Sequence, residues 1–322
     1  RFDLRVNSGI NIPKSYPKYL GSAEYMTMYN EARRNDGLTD LYSELEIYNY
    51  GSGRNKYRFP NVDFYSSDYL KNVFTRYDAT AEISGGNERV KYYTNLGYAT
   101  TGSLLNFGEA KNNNNSDRLN FRGNLDIQLN EYISMNADAT AIFYTGRGVN
   151  TDYWGNAATV RPNRFAPLIP IDLVEKEDAA SQIWIQNSNN LIDGKYLLGG
   201  TQLDQTNPIA TIYAGGNNQY SNRQFQFNTG LKADLRNVLT GLSFRTGFAV
   251  DYATAYSLSY NYSYATYSPT WNNYSGTDLI SSLTVYNQDA KSGTQNVSGN
   301  WYRQMIAFSG QLNYDRTFGT NH

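Results

Sequence analysis

Along Leu119–Asn120–Phe121–Arg122–Gly123–Asn124–Leu125–Asp126–Ile127–Gln128–Leu129 apolar and polar residues alternate without a break. The odd positions hold Leu, Phe, Gly, Leu, Ile and Leu; the even positions hold Asn, Arg, Asn, Asp and Gln. A β-strand sends successive side chains to opposite faces, so this segment has one greasy face and one wet face. The same pattern predicts strands near 2–7, 73–84, 90–99, 118–130, 132–144, 223–235, 241–254 and 303–315. The apolar register comprises 2, 4 and 6; odd 73–83; even 90–98; odd 119–129, 133–143 and 225–235; and even 242–252 and 304–314. None of these positions is Asp, Glu, Lys or Arg, although 18% of the chain is charged. The interleaved positions carry Arg5, Arg76, Glu82, Lys91, Arg122, Asp138, Asp234, Arg245 and Asp251, among others.

A soluble sandwich strand also alternates. The connections separate the two cases. Short ones at 85–87, 130–131 and 236–240 alternate with long ones at roughly 8–72, 146–222 and 255–302 and a middling one at 102–116. Outer-membrane barrels have this asymmetry, with short periplasmic turns and long external loops. Strand eight then runs inward to another short turn, Thr317–Phe318–Gly319. The better segments span about 11–13 residues, enough to cross the hydrocarbon layer with tilt, which needs about 9–11. Aromatics crowd their ends, as at Tyr92, Tyr98, Phe143, Tyr144, Tyr252 and Tyr314, and the chain holds 30 Tyr. Tyr suits a lipid–water boundary because its ring stays apolar and its hydroxyl wet. The expected fold is all-β: a partial transmembrane antiparallel β-barrel with long extracellular loops and one short loop helix. A soluble β-rich glycan-binding protein and a self-contained eight-stranded barrel are the other architectures compatible with the pattern.

Composition narrows the function. Mean hydropathy is −0.63 and no apolar run is long enough for a transmembrane helix. Net charge is −1, which favours neither nucleic acid nor an anionic membrane surface. There are no cysteines, and the one histidine is His322, so Ser–His–Asp, Cys–His and thiolate or His-based metal chemistry have no residues to use. No P-loop or GxGxxG element follows a strand. Acids cluster at Glu44 and Glu46, and at Glu175, Glu177 and Asp178. A glycosidase needs two carboxyls at a set separation, which spacing alone does not define. Asp172–Asp178 and Asn112–Asp117 offer oxygen ligands for calcium but lack EF-hand spacing. No catalytic, cofactor or metal site is expected.

A helix is predicted near 23–34, with Ser22 as N-cap, Glu24 in the first turn and Tyr25, Met28, Tyr29 and Ala32 on one face. That stripe would pack against its own loop or meet a partner. Arg161–Pro162, Pro167–Pro170 and Asn207–Pro208 punctuate the third long loop as an ordered one. Candidate substrate contacts are the loop aromatics Tyr153, Trp154, Trp184, Trp271, Tyr274 and Trp301, since flat aromatic faces suit sugar rings and apolar peptide side chains. Internal packing of the loops is the competing use for the same residues.

Several segments resemble the SusC/RagA-like TonB-dependent outer-membrane transporters. They are Phe59–Pro60–Asn61–Val62–Asp63–Phe64–Tyr65; Ser84–Gly85–Gly86–Asn87–Glu88–Arg89–Val90–Lys91–Tyr92–Tyr93 with Asn95–Leu96–Gly97–Tyr98; Glu24–Tyr25 with Asn30–Glu31–Ala32; Asn120–Asp126; and Tyr314–Gly319. Phe59 and Phe64 stand where the family usually has Tyr and Trp. The resemblance implies a 22-stranded barrel filled by a plug, in the outer membrane of a Gram-negative bacterium. It implies import of oligosaccharides or peptides, no cofactor, a SusD-like surface lipoprotein as lid, and a TonB complex acting through a segment not in this chain. Residues 1–322 would then be the N-terminal part of the barrel, a single domain cut at both ends. Wall charges such as Arg122, Asp126, Asp138, Lys232 and Arg245 would face the plug.

Overall fold

The computed structural model describes residues 1–272, 278–290, 292–317 and 319. The strands are β1 (Phe2–Asn11), β2 (Phe74–Gly86), β3 (Val90–Thr101), β4 (Ser116–Gln128), β5 (Ile133–Val149), β6 (Leu168–Pro170), β7 (Tyr196–Leu198), β8 (Gly216–Asp234), β9 (Leu242–Asn261), β10 (Thr266–Trp271), β11 (Ile280–Tyr286) and β12 (Thr294–Tyr314). The helices are α1 (Ser22–Asn35), α2 (Glu44–Gly51), α3 (Tyr153–Ala157), α4 (Ala179–Asn187) and α5 (Pro208–Ala214).

Eight strands form one antiparallel sheet in the order β1-β2-β3-β4-β5-β8-β9-β12, an up-and-down meander and a partial β-barrel wall. These are the eight segments read from the alternation. The ladder tests the register independently, because residues opposite each other share a face. Phe2 lies opposite Ile83, Ala81 opposite Leu96, and Leu96 opposite Phe121. Phe121 lies opposite Ala141, Ala141 opposite Phe225, Phe225 opposite Tyr252, and Val250 opposite Ile306. Every pairing joins an apolar-register position to another, so the eight stripes merge into one continuous apolar face.

Among the described residues no protein layer covers that face. Leu96 is 48% exposed, Phe121 37% and Phe248 38%, all on strands with neighbours on both sides. The three buried apolar clusters lie instead in the long connections, save for Val149 at the end of β5. A sandwich would have buried this face against a second sheet. The described residues show no β1–β12 pairing, so the eight strands do not close into a barrel of their own.

The charge-free zone has a sharp upper limit. Tyr98, Leu119, Phe143 and Arg223 lie in one cross-strand row. From that level towards the long connections, Asp117, Arg147 and Arg223 enter the formerly apolar register. The Tyr98 hydroxyl donates to Asp117 at 2.8 Å, and Arg147 pairs with Asp117 at 2.8 Å. Four strands run furthest past this level: β5 runs to Val149, β8 starts at Gly216, β9 ends at Asn261 and β12 starts at Thr294. The alternation predicts shorter strands on β5 and β8 because their extensions are largely polar, and on β12 because a bulge between Ser298 and Trp301 breaks it; on β9 it continues through Tyr256, Leu258 and Tyr260.

The turns at the other end are built by Asn and Gly. Asn87 Oδ1 accepts from the N–H groups of Arg89 and Val90, and Asn130 Oδ1 from those of Tyr132 and Ile133. Gly86 has φ +152, and a Cβ there would sit 2.2 Å from the Val90 carbonyl oxygen, so the Ser-Gly-Gly-Asn turn requires glycine at this position.

Leu125→Arg is expected to lower assembly into membranes by roughly 2–4 kcal/mol, the cost of a basic side chain on a lipid-facing strand near mid-depth. Asn124→Arg, beside Asp138 on the polar face, should assemble nearly as wild type. Urea titration of refolding into vesicles measures both; equal behaviour would contradict the assigned faces.

Candidate functional site

The long connections fold together at one end of the wall. The segment Phe59–Tyr65 is their hub, and several of its polar groups tie other segments to it. The Ser22 N–H donates to Asn61 Oδ1 at 2.8 Å and the Ser22 hydroxyl to the Pro60 carbonyl at 2.8 Å, which seats the start of α1. The Val62 N–H donates to the Pro162 carbonyl at 3.0 Å, which brings in the third long connection. The Asp63 carboxylate accepts the Tyr65 N–H at 2.9 Å. The Phe64 carbonyl accepts the Tyr153 hydroxyl. Phe64 itself is buried with Leu70, Phe107, Tyr153, Ile209 and Ile212.

Helix α1 corrects two expectations. Gly21, not Ser22, is the N-cap, and its N–H donates to the Glu24 carboxylate at 3.0 Å. Ser22 is wholly buried. The buried face is Ser22, Met26 and Asn30; Met28 and Ala32 are exposed. The hydrophobic pattern misplaced the stripe because two of the three inward residues are polar. Asn30 clamps the following loop: its Oδ1 accepts from the N–H groups of Leu41 and Tyr42, and its Nδ2 donates to the Tyr42 carbonyl at 2.6 Å. This orientation turns Tyr25 and Tyr29 sideways, stacked with centroids 5.9 Å apart. The Arg161 guanidinium lies over both rings, 5.7 and 5.5 Å from their centroids.

Between α1 and residues 157–162 lies a cleft of about 410 Å³, lined by Tyr19, Tyr25, Asn61, Asp63, Tyr65 and Arg161 with neighbouring apolar groups. Tyr19 stacks on Tyr65 at 5.6 Å, and Tyr65 meets Trp154 at 6.2 Å. Burial pushes the Tyr25 phenol up, against the pull of Arg161. Alongside, Tyr57 is pushed up to about 12 by burial and its hydrogen bond with Tyr196. Both rings therefore stay neutral near pH 7.

The six candidate aromatics do not form one site. Trp154 is 42% exposed beside the cleft, whereas Tyr153 is 2% exposed and belongs to the core. Trp184 is an exposed residue of α4. Trp271 is half-buried at the end of β10, under the Arg58 guanidinium at 5.8 Å. Trp301 lies within β12 opposite Ala255, on the polar face of the wall and not in a loop. Tyr274 lies outside the described residues, as do Phe318 of the closing turn and His322. The tyrosines that do line the cleft escaped notice because Tyr is common throughout the chain; Tyr25, Tyr29 and Arg161 were visible only as helix face and loop punctuation.

The third and fourth connections form a second module. Gly199 bridges to Tyr267 and Val174 to Ile280 in parallel, and the clustered core holds Ile169, Leu197, Tyr267 and Ile280. Arg58 of the first connection pairs with Asp278 at 2.9 Å, tying this module to the hub. The acid clusters serve structure here. Glu46 and Ser43 cap α2, Glu175 accepts from Asn272 at 2.8 Å, and Asp178 accepts from Ser181. On the polar face near the turns, Lys91, Asp126, Lys232 and Arg245 line a shallow cavity of about 530 Å³.

No protein-family model matches the chain, and no curated protein matches it. Its fold is similar to that of a chain of the RagAB peptide importer in the 'closed-closed' state, with a TM-score of 0.56 and 15% identity over 99% of this chain and 33% of that one. The 'open-open' state of the RagAB peptide importer gives 0.50 and 14% over 98% of this chain and 40% of that one. The chain thus spans between a third and two fifths of those chains, and at such identity the likeness is one of fold.

Asn30→Leu leaves the N–H groups of Leu41 and Tyr42 without their acceptor, an expected cost of about 1–3 kcal/mol. Hydrogen exchange at residues 38–44 should accelerate while the amides of β4 and β5 keep their wild-type rates.

Proposed function

We propose that this chain is wall and outer-loop structure of an outer-membrane importer of the TonB-dependent, SusC-like kind, taking up bulky nutrients such as oligosaccharides or peptides. The observation that carries this reading is the continuous, uncharged and uncovered apolar face spanning eight paired strands and ending at one level of tyrosine and charge. Such a face is stable only against an apolar medium. A lipid bilayer supplies that medium, and between the two edges the strands pair in continuous ladders across the apolar band, as hydrocarbon demands. The outer edges of β1 and β12 demand the same, so in this reading further strands continue the wall on both sides, as in a wider barrel. Residues 1–322 are then the N-terminal portion of that barrel domain.

The polar face supports a filled lumen. Lys91, Asp126, Lys232 and Arg245 point away from lipid, where a plug offers partners. The long connections would stand outside the cell, with the exposed Leu38, Leu41, Leu45 and Tyr48 available to a SusD-like lipoprotein lid. Cargo would meet the loop aromatics, with Trp154 at the cleft, Trp184 and Trp271 on the second module, and Trp301 on the polar wall. Tyr153 would contribute by holding the hub. The fold likeness to the RagAB peptide importer favours peptides over oligosaccharides as cargo. Energy would come from an inner-membrane TonB complex.

Uptake decides the matter. Cells producing the full-length protein should accumulate fluorescent peptides or oligosaccharides, and cells lacking it, or depleted of proton-motive force, should not. Equal accumulation in all three would overturn the importer reading.

A further inference from the structure

Arg161 and Arg164 lie three residues apart and are treated differently by the fold. Arg164 donates to Asp204 at 2.8 Å. The Arg161 guanidinium has no ion pair or hydrogen bond among the described residues; it lies over the faces of Tyr25 and Tyr29. Ring faces hold a guanidinium plane in place but leave its in-plane N–H groups unused. The position is fixed from behind as well, since the next residue, Pro162, is bonded to Val62. The result is an exposed, pre-oriented fork of donors at the rim of the cleft. That geometry matches a carboxylate, which accepts two parallel N–H bonds from a guanidinium.

The rest of the cleft adds to the description of its occupant. Asp63 is the other charged residue lining it, and one of its oxygens is engaged by the Tyr65 N–H, which leaves acceptor capacity for an N–H of a ligand. Tyr19 and Tyr65 provide a stacked aromatic wall for an apolar or planar side chain. A carboxylate, an adjacent N–H donor and an apolar side chain occur together at the C-terminal end of a peptide.

We propose that this cleft is a subsite for the free C-terminal carboxylate of a short peptide, gripped by Arg161, with the last side chain against Tyr19 and Tyr65. The choice of peptide as cargo rests on the importer reading; binding in the cleft is measured without transport, so the two fail separately.

The test uses the full-length protein in detergent and three probes: the tetrapeptide Ala-Ala-Ala-Phe, the same peptide with an amidated C-terminus, and glucuronic acid. Fluorescence titration should show the free acid binding about tenfold more tightly than the amide, as expected for loss of a charge-assisted pair. R161Q should bring the acid down to the affinity of the amide, and R161K should restore part of the difference. Equal affinity of acid and amide for the native protein overturns the proposal without recourse to any variant, as does no binding of either. A difference that survives R161Q overturns the assignment to Arg161. Displacement of the peptide by glucuronic acid at equal concentration overturns the peptide assignment in favour of an acidic sugar. Uptake that fails while this selectivity holds counts against the importer reading alone.

Discussion

Everything in this molecule depends on parity. In an antiparallel ladder, opposite residues share a face, so one slipped register would place a strand's charges among its neighbours' leucines. Across the apolar band the seven pairings of the large sheet make no such slip: Leu4 meets Ala81, Tyr92 meets Leu125, Phe227 meets Val250, and Phe248 meets Phe308; the one register shift, a bulge in β12 between Ser298 and Trp301, lies beyond the band. The apolar face is therefore a property of the sheet and of no single strand. Its extent is set chemically. It ends where Asp117, Arg147 and Arg223 enter the same register, and Tyr98 bridges the change by keeping its ring among apolar neighbours and its hydroxyl on a carboxylate. The small residues on this face, Gly123, Ala137, Ala139 and Gly310, sit beside large ones, which gives a band of even chemistry but uneven relief.

The long connections obey different rules. They are not hydrophobic enough to form one core, and they settle into three small ones joined by polar ties. Buried polar groups in such places are costly unless bonded, and the side chains that join segments here are bonded to backbone, although the Tyr16 hydroxyl and Asn163 Oδ1 are buried without a partner among the described residues. Ser22, Asn30, Asn207 and Ser181 are all buried and all satisfied. Asn207 shows the economy of the arrangement: its Oδ1 caps α5 through the Ala210 N–H at 2.9 Å, while its Nδ2 holds the Gly199 carbonyl at 2.9 Å. Each such residue fixes two segments at once, which lets a loop of modest apolar content hold a defined shape.

This division explains what could be read from the chain. The wall was legible because period-two alternation carries both secondary structure and facing, and because the turns are written in Asn and Gly. The strand extensions at 216–222 and 294–302 were not, since the first is largely polar and the second carries a bulge that breaks the period. Helix α1 was legible as a helix, from Glu24 in its first turn and the basic residues of its last, but its buried face was not, because Ser22 and Asn30 are inward for their hydrogen bonds. The candidate aromatics fared similarly. Composition marks Tyr153 and Trp154 alike, and only packing separates the buried ring that holds the hub from the exposed one beside the cleft. The hub segment Phe59–Tyr65 was legible by resemblance alone; its task as a junction of two distant connections has no local signature.

The two parts of the molecule meet at the upper limit of the apolar face, and the meeting has a mechanical consequence. Val149 is at once the last residue of β5 and a member of the cluster that holds Phe64, Phe107 and Tyr153. Asn150 donates through its Nδ2 to the carbonyls of Gly215 and Tyr260, at 3.1 and 2.6 Å, so the outer ends of β5, β8 and β9 are laced together where the loops begin. Across the apolar band the wall strands pair without interruption and resist sliding, since a shift by one residue there reverses facing. The loops therefore stand on a paired rim, and the modules are tied to one another by side chains, chiefly Arg58 and Arg54 with Asp278 and Tyr57 with Tyr196. Those ties are partly exposed polar contacts, weaker than the ladder by far. Loops assembled this way keep each cluster's internal geometry through its own core and join the clusters by polar ties, a division of labour the wall itself does not need.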